Sequence, residues 1–297
     1  SLMDHLGAGR EWDLTRKNGG LNIIPPFAQK TVNIYNGRVE AIASILDYLN
    51  RQKEKYVIMA DTNIAVNFDF NAFLQKHIDS GADITIAYTK EEIPKAFIDI
   101  DMTKKDLYYT LDIDENDKVK KIIVNNKDKG EQNMSMNVYV MDRKLLVEQI
   151  REAYVNGQTY FERDIVSPQL DKLDVRAYQH TGYYARILDV KSYFAENMKL
   201  LKEENVNALF SPSAVYTKIR DDNPTRYATG SHAKNAMVAD GCVIEGEVEN
   251  SILFRGVKVG KGAKVRNCVL MQDTVIETGA TVEYTITDKN VTVSSYK

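Results

Sequence analysis

Apolar residues recur with two different spacings along the chain, and the change falls near residue 236. Before it, strand-like and helix-like stretches alternate. The run YVIMA (56–60) is typical of a buried strand, the apolar positions of 37–52 fall on one face of a predicted helix, and a second predicted helix stops at Gly81. Such alternation predicts α/β layers around a largely parallel sheet. Because 97–126 has the alternation and turn residues of an antiparallel meander, we expect the sheet to be mixed.

Beyond residue 236, small and aliphatic residues recur every six positions. The first set is Val257, Ala263, Val269, Val275 and Thr281, and a second set two positions later is Val259, Val265 and Met271. A six-residue period fits neither a helix nor a hairpin. It predicts a β-helix in which each hexad forms one short face of a triangular coil, with these residues pointing inward. Stacked coils then bury an interior that a single coil cannot.

These patterns divide the chain into three parts. Residues 1–204 form the predicted α/β domain, and 236–297 form the predicted β-helix. The polar stretch 205–235 contains two prolines and is interpreted as a linker.

The composition is that of an ordinary globular protein. The 297 residues are 43% hydrophobic and 27% charged, with a formal net charge of −3, so charge gives no reason to expect nucleic acid or an anionic membrane as a partner. No apolar run is long enough to span a membrane, and the start lacks the layout of a signal peptide. Cys242 and Cys268 form no disulfide framework, and the four histidines have no metal-ligand spacing. We therefore expect a cytoplasmic protein with reduced thiols.

Several stretches carry a family resemblance along nearly the whole chain. They are SLMDHLGAGREWDLTRKNGGLNIIPPF at the start, YNGRVEAI (35–42), MSMNVYVM (134–141), YFERDIVSPQL (160–170), and the β-helix stretches NSILFRGVKVGKGAKV and CVLMQDTVIETGA. On these motifs the chain is identified as a member of the ADP-glucose pyrophosphorylase (glucose-1-phosphate adenylyltransferase) family. The resemblance implies a nucleotidyltransferase domain with a Rossmann-like mixed sheet, followed by a left-handed parallel β-helix of hexapeptide repeats.

The resemblance also implies a reaction and its site. Family members join ATP and glucose 1-phosphate to give ADP-glucose and pyrophosphate, with Mg²⁺ held by two aspartates and a lysine that contacts the sugar phosphate. Their nucleotide-binding domain opens with a Gly-Gly-x-Gly-Thr-Arg-Leu loop that holds phosphates. No stretch of this sequence matches that loop, so the predicted domain lacks its N-terminal portion and no phosphate-binding role falls on these residues.

The first metal-ligand motif of the family, Gly-Asp-His-Ile-Tyr, resembles MADTNIAVNFDF. Counting back from Asp69 puts Asn63 in the ligand position, whereas counting forward from the strand puts Asp61 one position early. Asp61 is therefore either an off-register metal ligand or a loop aspartate that caps the turn or the following helix.

The second metal-ligand motif, Gly-Tyr-Trp-x-Asp-Ile-Gly-Thr, resembles GYYARILDV without a gap. Tyr184 replaces the tryptophan and Arg186 replaces the aspartate. Because arginine is a fixed cation, it would repel a divalent ion there. Asp189 lies three residues further on and cannot substitute for the missing ligand.

Substrate-contact positions depart from the family as well. Asn126 stands where the family has the lysine that contacts the sugar phosphate. At the first helix entry Gly37 is kept, but Arg38 replaces a threonine and Glu40 stands for an aspartate. The larger side chains are expected to crowd a turn built for close approach of the nucleotide.

Some positions match the family. Asp164 corresponds to a later family aspartate, and Ser135 and Tyr139 line the expected sugar side. They preserve either a vestigial pocket or only the fold.

We therefore predict a non-catalytic subunit most like the regulatory, GlgD-type branch of the family, with no cofactor of its own. It is expected to assemble with a catalytic homologue in glycogen synthesis, as a tetramer. Arg16, Lys17 and Lys30 are candidate contacts for an anionic sugar-phosphate or nucleotide effector. The alternative is an active enzyme that uses Asp61 and Mg²⁺. A β-helix acyltransferase is a further alternative, but such enzymes need a histidine within the coils, and none follows His232.

Overall fold

The computed structural model describes residues 2–16, 19–25, 35–94, 108–217 and 221–295. The chain forms two compact units. The α/β unit comprises Asn22–Thr62 and Phe68–Gly182, and the coil unit comprises Ser1–Leu21, Asn63–Asn67 and Tyr183–Lys297.

The described helices are numbered in chain order. They are α1 (Leu2–Leu6), α2 (Arg38–Ala43), α3 (Leu46–Arg51), α4 (Phe70–Ser80), α5 (Arg143–Val155), α6 (Val190–Lys199) and α7 (Glu203–Phe210). A single π-helical turn spans Phe161–Val166. Within the described residues, no helix is long and apolar enough to cross a membrane.

The strands of the first part of the chain are β1 (Tyr56–Met59), β2 (Ile64–Val66), β3 (Ile84–Glu92), β4 (Tyr109–Ile113), β5 (Val119–Val124), β6 (Glu131–Asp142), β7 (Val175–Gln179) and β8 (Tyr184–Arg186). Those of the coil are β9 (Arg226–Tyr227), β10 (His232–Val238), β11 (Val243–Ile244), β12 (Glu247–Leu253), β13 (Lys258–Val259), β14 (Lys264–Arg266), β15 (Val269–Leu270), β16 (Val275–Ile276), β17 (Thr281–Glu283), β18 (Ile286–Thr287) and β19 (Thr292–Val293).

The sheet of the α/β unit is mixed, as predicted. Its order is β5-β4-β6-β3-β7, and β1 also pairs with β6. Among the described strands of this sheet, β3 and β7 are the only parallel pair, because β6 is antiparallel to β1, β3 and β4, and β4 is antiparallel to β5. The sheet therefore has a larger antiparallel share than the sequence pattern predicts. The predicted meander is present as the β4–β5 hairpin, while residues 95–107 lie outside the described part of the chain.

Local signals account for two of the helix ends. The side chain of Asp69 accepts hydrogen bonds from Asn71 N (3.0 Å) and Ala72 N (2.9 Å), which caps α4 at its start. Gly81 ends α4 in the left-handed conformation with φ 65°, so the predicted stop is confirmed.

The helix predicted over 37–52 is two helices, α2 and α3. The Ser44 hydroxyl donates to Ala41 O at 2.7 Å, and Ile45 has φ −114° and ψ 13°. A serine side chain that bonds to a nearby carbonyl competes with helix propagation. The helix therefore breaks at this position.

From Glu247 onward the coil repeats every 17 residues rather than every 18, whereas the preceding pairings of β10 with β12 and of β11 with β13 join residues 15 positions apart. Lys258 pairs in parallel with Val275, and Val275 with Thr292, each partner 17 positions further along the chain. Each successive side of the coil places one buried residue in the interior. In the described part of the chain these residues are Val257, Ala263, Cys268, Thr274 and Ala280. One side of each coil is therefore a residue shorter than the others.

The shorter side is made at a left-handed corner. Asn267 has φ 51°, and the equivalent corners Asn250 and Tyr284 have φ 47° and 49°. After this corner, the residues that point inward lie one position earlier than predicted. For example, Ala280 is buried, whereas the predicted inward residue Thr281 is exposed. Asparagine adopts the left-handed region more readily than most residues, so it fits these turns.

The stretch 205–235, predicted as a linker, contains regular structure. It holds most of α7, and both β9 and the start of β10 lie in it. Strand β10 pairs in parallel with β12, so the coil begins before residue 236. In the same unit, Trp12 Nε1 donates to Tyr216 O at 3.0 Å, which ties the first described segment to 211–217.

The corner geometry predicts the effect of two substitutions. Asn267→Ala should lower the free energy of unfolding by about 1 kcal/mol, because alanine is strained at positive φ, and Asn267→Gly should change it little. Urea denaturation of both variants checks this. Equal stability of the two variants would contradict the left-handed corner.

Candidate functional site

The guanidinium of Arg38, at the start of α2, lies between two carboxylates. Its NH1 bonds to Glu162 Oε1 at 2.5 Å, and its NH2 bonds to Asp61 Oδ1. The guanidinium also lies over the ring of Tyr139, 5.0 Å from the centroid. Asn137 bonds to Asp61 in turn, and we call Arg38, Asp61, Glu162, Tyr139 and Asn137 the Arg38 cluster.

Both carboxylate oxygens of Asp61 accept a hydrogen bond within this cluster. One carboxylate oxygen accepts from Arg38, and the other accepts from Asn137 Nδ2 at 2.7 Å. Helix α4 is capped by Asp69 instead. The prediction that Asp61 caps the following helix is therefore wrong. Instead, the Asp61 side chain forms an ion pair with Arg38.

Strand β6 contributes Asn137 and Tyr139 to the Arg38 cluster. Its register against β3 shifts between Ala87 and Tyr88, and at this bulge Asn137 has φ 57°. The bulge directs a polar side chain inward. Next to it the buried Ser135 Oγ accepts from Asn137 N at 3.2 Å, and the buried Tyr139 hydroxyl donates to Glu162 Oε1 at 2.5 Å.

The electrostatics of the cluster fix the protonation of two of its members. Burial disfavours the charge of Arg38, but the attraction of the Glu162 and Asp61 carboxylates outweighs it, so the pKa of Arg38 lies above its ordinary value. Burial, followed by the negative charge of Glu162, raises the pKa of Tyr139 well above its ordinary value. Arg38 therefore stays a cation, and Tyr139 stays a neutral donor.

The turn before α2 is built for close packing. A Cβ atom on Gly37 would lie 2.6 Å from the Thr159 carbonyl oxygen, so only glycine fits. Glu40 Oε2 accepts from Asn36 N at 2.7 Å. These contacts set the start of α2 and hence the position of Arg38.

Asp164 fixes the opposite side of this turn. Its carboxylate accepts from Thr159 N (3.0 Å) and Tyr160 N (2.9 Å), and Arg163 Nε donates to it at 2.6 Å. Burial opposes its charge, but these hydrogen bonds outweigh that effect and lower the pKa of Asp164. Of the two expectations for Asp164, these contacts favour a role in the fold.

In the coil unit the structure brings together the backbones of two predicted ligand positions. Strands β2 and β8 form a two-stranded antiparallel ribbon in which Ile64 pairs with Arg186. Ile187 N donates to Asn63 O at 2.8 Å, so positions 63 and 186 are neighbours. Arg186 Nε donates to the Tyr184 hydroxyl at 2.8 Å. Neither position has a carboxylate.

Asp189 has a structural role in the same unit. It caps α6 through a reciprocal pair of hydrogen bonds with Ser192, and those bonds lower the pKa of Asp189.

Asn126 is buried, and its amide is engaged in the fold. Its Nδ2 donates to Thr110 Oγ1 (3.0 Å) and to Gln132 Oε1 (3.2 Å), and its Oδ1 accepts from Asp128 N at 3.0 Å. The neighbouring Lys127 is exposed.

The predicted effector residues are only partly described. Arg16 is exposed and pairs with Asp13. Lys17 and Lys30 lie outside the described residues.

These residues do not fit a Mg²⁺ ion. Magnesium takes oxygen ligands in near-octahedral geometry, usually from one or two carboxylates. Asp61 already bonds through both oxygens, and positions 63 and 186 hold an amide and a guanidinium. Among the residues that the structure describes, no group of three or more His, Cys, Asp or Glu side chains could hold a metal ion.

Comparison with known sequences identifies the family. The sequence model of the nucleotidyl transferase family matches residues 1–203, and that of the GlmU-like C-terminal hexapeptide region matches residues 218–296. The chain belongs to the nucleotidyl transferase family. The similarity to glucose-1-phosphate adenylyltransferases that the motifs predict is also confirmed.

Three relatives illustrate this similarity. The glycogen biosynthesis protein GlgD of Bacillus subtilis (strain 168) is 32% identical over 295 residues, which cover 99% of this chain and 73% of that protein. The GlgD protein of Geobacillus stearothermophilus is 34% identical over 271 residues, covering 89% of this chain and 65% of that protein. The glucose-1-phosphate adenylyltransferase of Clostridium perfringens (strain SM101 / Type A) is 29% identical over 284 residues, covering 93% of this chain and 70% of that protein.

Sequence reasoning missed Glu162 and Asn137, although the motifs contain a signal for both. Asn137 lies in MSMNVYVM and Glu162 in YFERDIVSPQL, two of the stretches that carry the family resemblance. Both side chains belong to the Arg38 cluster.

The contacts of Asn126 predict that it stabilises the fold. Asn126→Ala should lower the free energy of unfolding by about 1–3 kcal/mol, because the buried Thr110 hydroxyl loses a partner. The adjacent, exposed Lys127→Ala is the control and should change it by less than about 0.5 kcal/mol. Denaturant unfolding measures both, and equal effects would argue against a structural role for Asn126.

Proposed function

We propose that this chain is a non-catalytic, regulatory subunit of a bacterial glucose-1-phosphate adenylyltransferase and acts in glycogen biosynthesis with a catalytic homologue. One observation carries the proposal. Asp61, the carboxylate at the candidate ligand site, is bonded to Arg38 and Asn137.

The chemistry of the family explains why this observation matters. Attack of a sugar phosphate on ATP builds negative charge at the α-phosphate, which must be offset by Mg²⁺ and cationic side chains. A metal ion bound to Asp61 would lie beside the Arg38 guanidinium, which is a fixed cation and would repel it. In the coil unit, separately, Arg186 stands where the resemblance implies a metal-ligand aspartate, and a fixed cation at that position would repel a divalent ion.

The sugar-phosphate position supports the same proposal. Asn126 is neutral, and both ends of its amide are used by Thr110, Gln132 and Asp128. It therefore supplies neither the charge nor the free donors that a lysine would offer to a phosphate. We expect weak binding of glucose 1-phosphate.

The names of the relatives support a role beside an enzyme. Two of them are called glycogen biosynthesis protein GlgD, whereas others with a similar degree of identity are called glucose-1-phosphate adenylyltransferase. A chain that keeps the fold but not the ligands is suited to acting through a partner. We propose a hetero-tetramer whose activity responds to a sugar-phosphate or nucleotide effector.

The proposal predicts the outcome of a direct assay. The purified full-length protein that contains this chain, assayed alone with ATP, glucose 1-phosphate and Mg²⁺, should form ADP-glucose at background level. Added to its catalytic homologue, it should form a complex and change the homologue's kcat or KM.

Turnover by the chain alone would contradict the proposal if Asp61→Asn abolished it. Such a result would establish the alternative, an active enzyme with Asp61 as metal ligand. Absence of a complex, with unchanged kinetics of the homologue, would also contradict the regulatory role.

A further inference from the structure

Asparagine followed directly by glycine occurs three times in the chain, at Asn18, Asn36 and Asn156. This pair is especially open to spontaneous deamidation, because glycine has no Cβ atom to keep its backbone nitrogen away from the asparagine side chain. Asn18 lies outside the described residues. The other two pairs have different surroundings, and these surroundings predict different fates.

Deamidation at such a pair is a ring closure followed by hydrolysis. At Asn36 the nitrogen of Gly37 would attack Cγ of the side chain and form a C–N bond. The side-chain nitrogen would leave as ammonia together with the proton of the Gly37 N–H, which gives a cyclic succinimide. Water then opens the ring to aspartate or isoaspartate, so no oxidant or cofactor is needed. The reaction requires the Asn36 side chain to swing toward the Gly37 nitrogen.

The fold requires a glycine after Asn36. A Cβ atom at position 37 would lie 2.6 Å from both the carbonyl oxygen and the methyl group of Thr159. In the described part of the chain, the Gly37 N–H donates to no acceptor. Close packing at this turn therefore keeps the residue that makes the preceding asparagine labile.

Glu40, in the first turn of α2, holds the Asn36 side chain in another position. Its Oε2 accepts a hydrogen bond from Asn36 N at 2.7 Å and a second one from Asn36 Nδ2 at 3.1 Å. One carboxylate oxygen thus fixes both the main chain and the side chain of Asn36. Ring closure has to break the bond to Nδ2 before the side chain can reach Gly37.

We propose that Asn36–Gly37 is a latent deamidation site and that Glu40 is the positioning residue that keeps it from reacting. Aspartate at position 36 would place a second carboxylate beside Glu40, and isoaspartate would lengthen the main chain directly before Gly37. Either product disturbs the start of α2, from which Arg38 reaches its two carboxylate partners. This inference does not depend on the proposed function.

Asn156–Gly157 serves as a comparison within the same molecule. Asn156 is exposed at the end of α5, and the Gly157 N–H donates to Tyr154 O at 3.1 Å. Its restraint is a backbone hydrogen bond of the helix end. The reactivity of Asn156 is therefore expected to be independent of Glu40.

The rate of deamidation at each asparagine tests the restraint. The full-length protein that contains this chain is incubated under native, mildly alkaline conditions, and peptide mapping by mass spectrometry follows aspartate and isoaspartate at positions 36 and 156. Glu40→Ala should raise the rate at Asn36 by about tenfold, because it removes hydrogen bonds to a charged acceptor. The rate at Asn156 should stay unchanged in the same samples.

Two further variants separate this restraint from a general loss of stability. Glu40→Gln keeps a side-chain oxygen that accepts hydrogen bonds, so Asn36 should react nearly as slowly as in the natural protein. Asn126→Ala removes contacts of the same unit but none of Asn36, and the rate at Asn36 should stay unchanged.

Equal rates at Asn36 in the natural protein and in Glu40→Ala would overturn the proposal, and so would equal acceleration by Asn126→Ala. If Glu40→Ala does not fold, the natural protein decides. Asn36 should then react at least about tenfold more slowly in the folded protein than in the same protein unfolded in guanidinium chloride. A ratio near unity would overturn the restraint.

Asn36→Asp reproduces one product and tests its effect on α2. The new carboxylate faces that of Glu40, so the melting temperature should fall by about 3 °C. Adding Glu40→Gln to this variant should restore most of the loss, because it removes the repulsion between like charges. An unchanged melting temperature in Asn36→Asp would overturn the predicted effect on α2.

Discussion

The ion pairs of Arg38 with Asp61 and Glu162 are the interaction on which the candidate site depends. Removing a guanidinium and two carboxylates from water is costly, and each remains buried or partly buried here only because the others are present. Loss of a single partner leaves an uncompensated charge, which typically costs about 3–5 kcal/mol. The same pairs engage the carboxylate of Asp61, a candidate metal ligand, so one set of contacts both stabilises the fold and occupies that carboxylate.

The surrounding fold holds this arrangement in place through short-range contacts. Gly37 lets the chain pass close to Thr159, and Asp164 holds the backbone of Thr159 and Tyr160 from the other side. The bulge in β6 presents Asn137 at positive φ. These contacts position Arg38 and Asn137 for their bonds to Asp61.

The sequence predicts the features that depend on local pattern. The stop of α4 at Gly81, the mixed sheet and the parallel coil all follow from spacing or from a single residue. The 17-residue repeat does not, because an asparagine at a left-handed corner looks the same in sequence as one on any exposed turn. Similarly, the break in the helix predicted over 37–52 depends on one hydrogen bond of Ser44.

The candidate site could be predicted only in part. Motif comparison places Asn63 and Arg186 in the ligand positions, and the structure makes these positions neighbours on one ribbon. The role of Arg38 cannot be predicted from the spacing of apolar residues or from the family motifs, because its partners Asp61 and Glu162 lie 23 and 124 positions away. Long-range ion pairs of this kind require the tertiary fold before they can be recognised.

A double-mutant cycle between Arg38 and Asp61 tests the central claim most directly. The free energies of unfolding of the natural chain, Arg38→Met, Asp61→Asn and the double variant give the coupling between the two side chains. The account predicts a favourable coupling on the order of 2 kcal/mol, as for a desolvated pair. A coupling below about 0.5 kcal/mol, typical of an exposed surface pair, would contradict it.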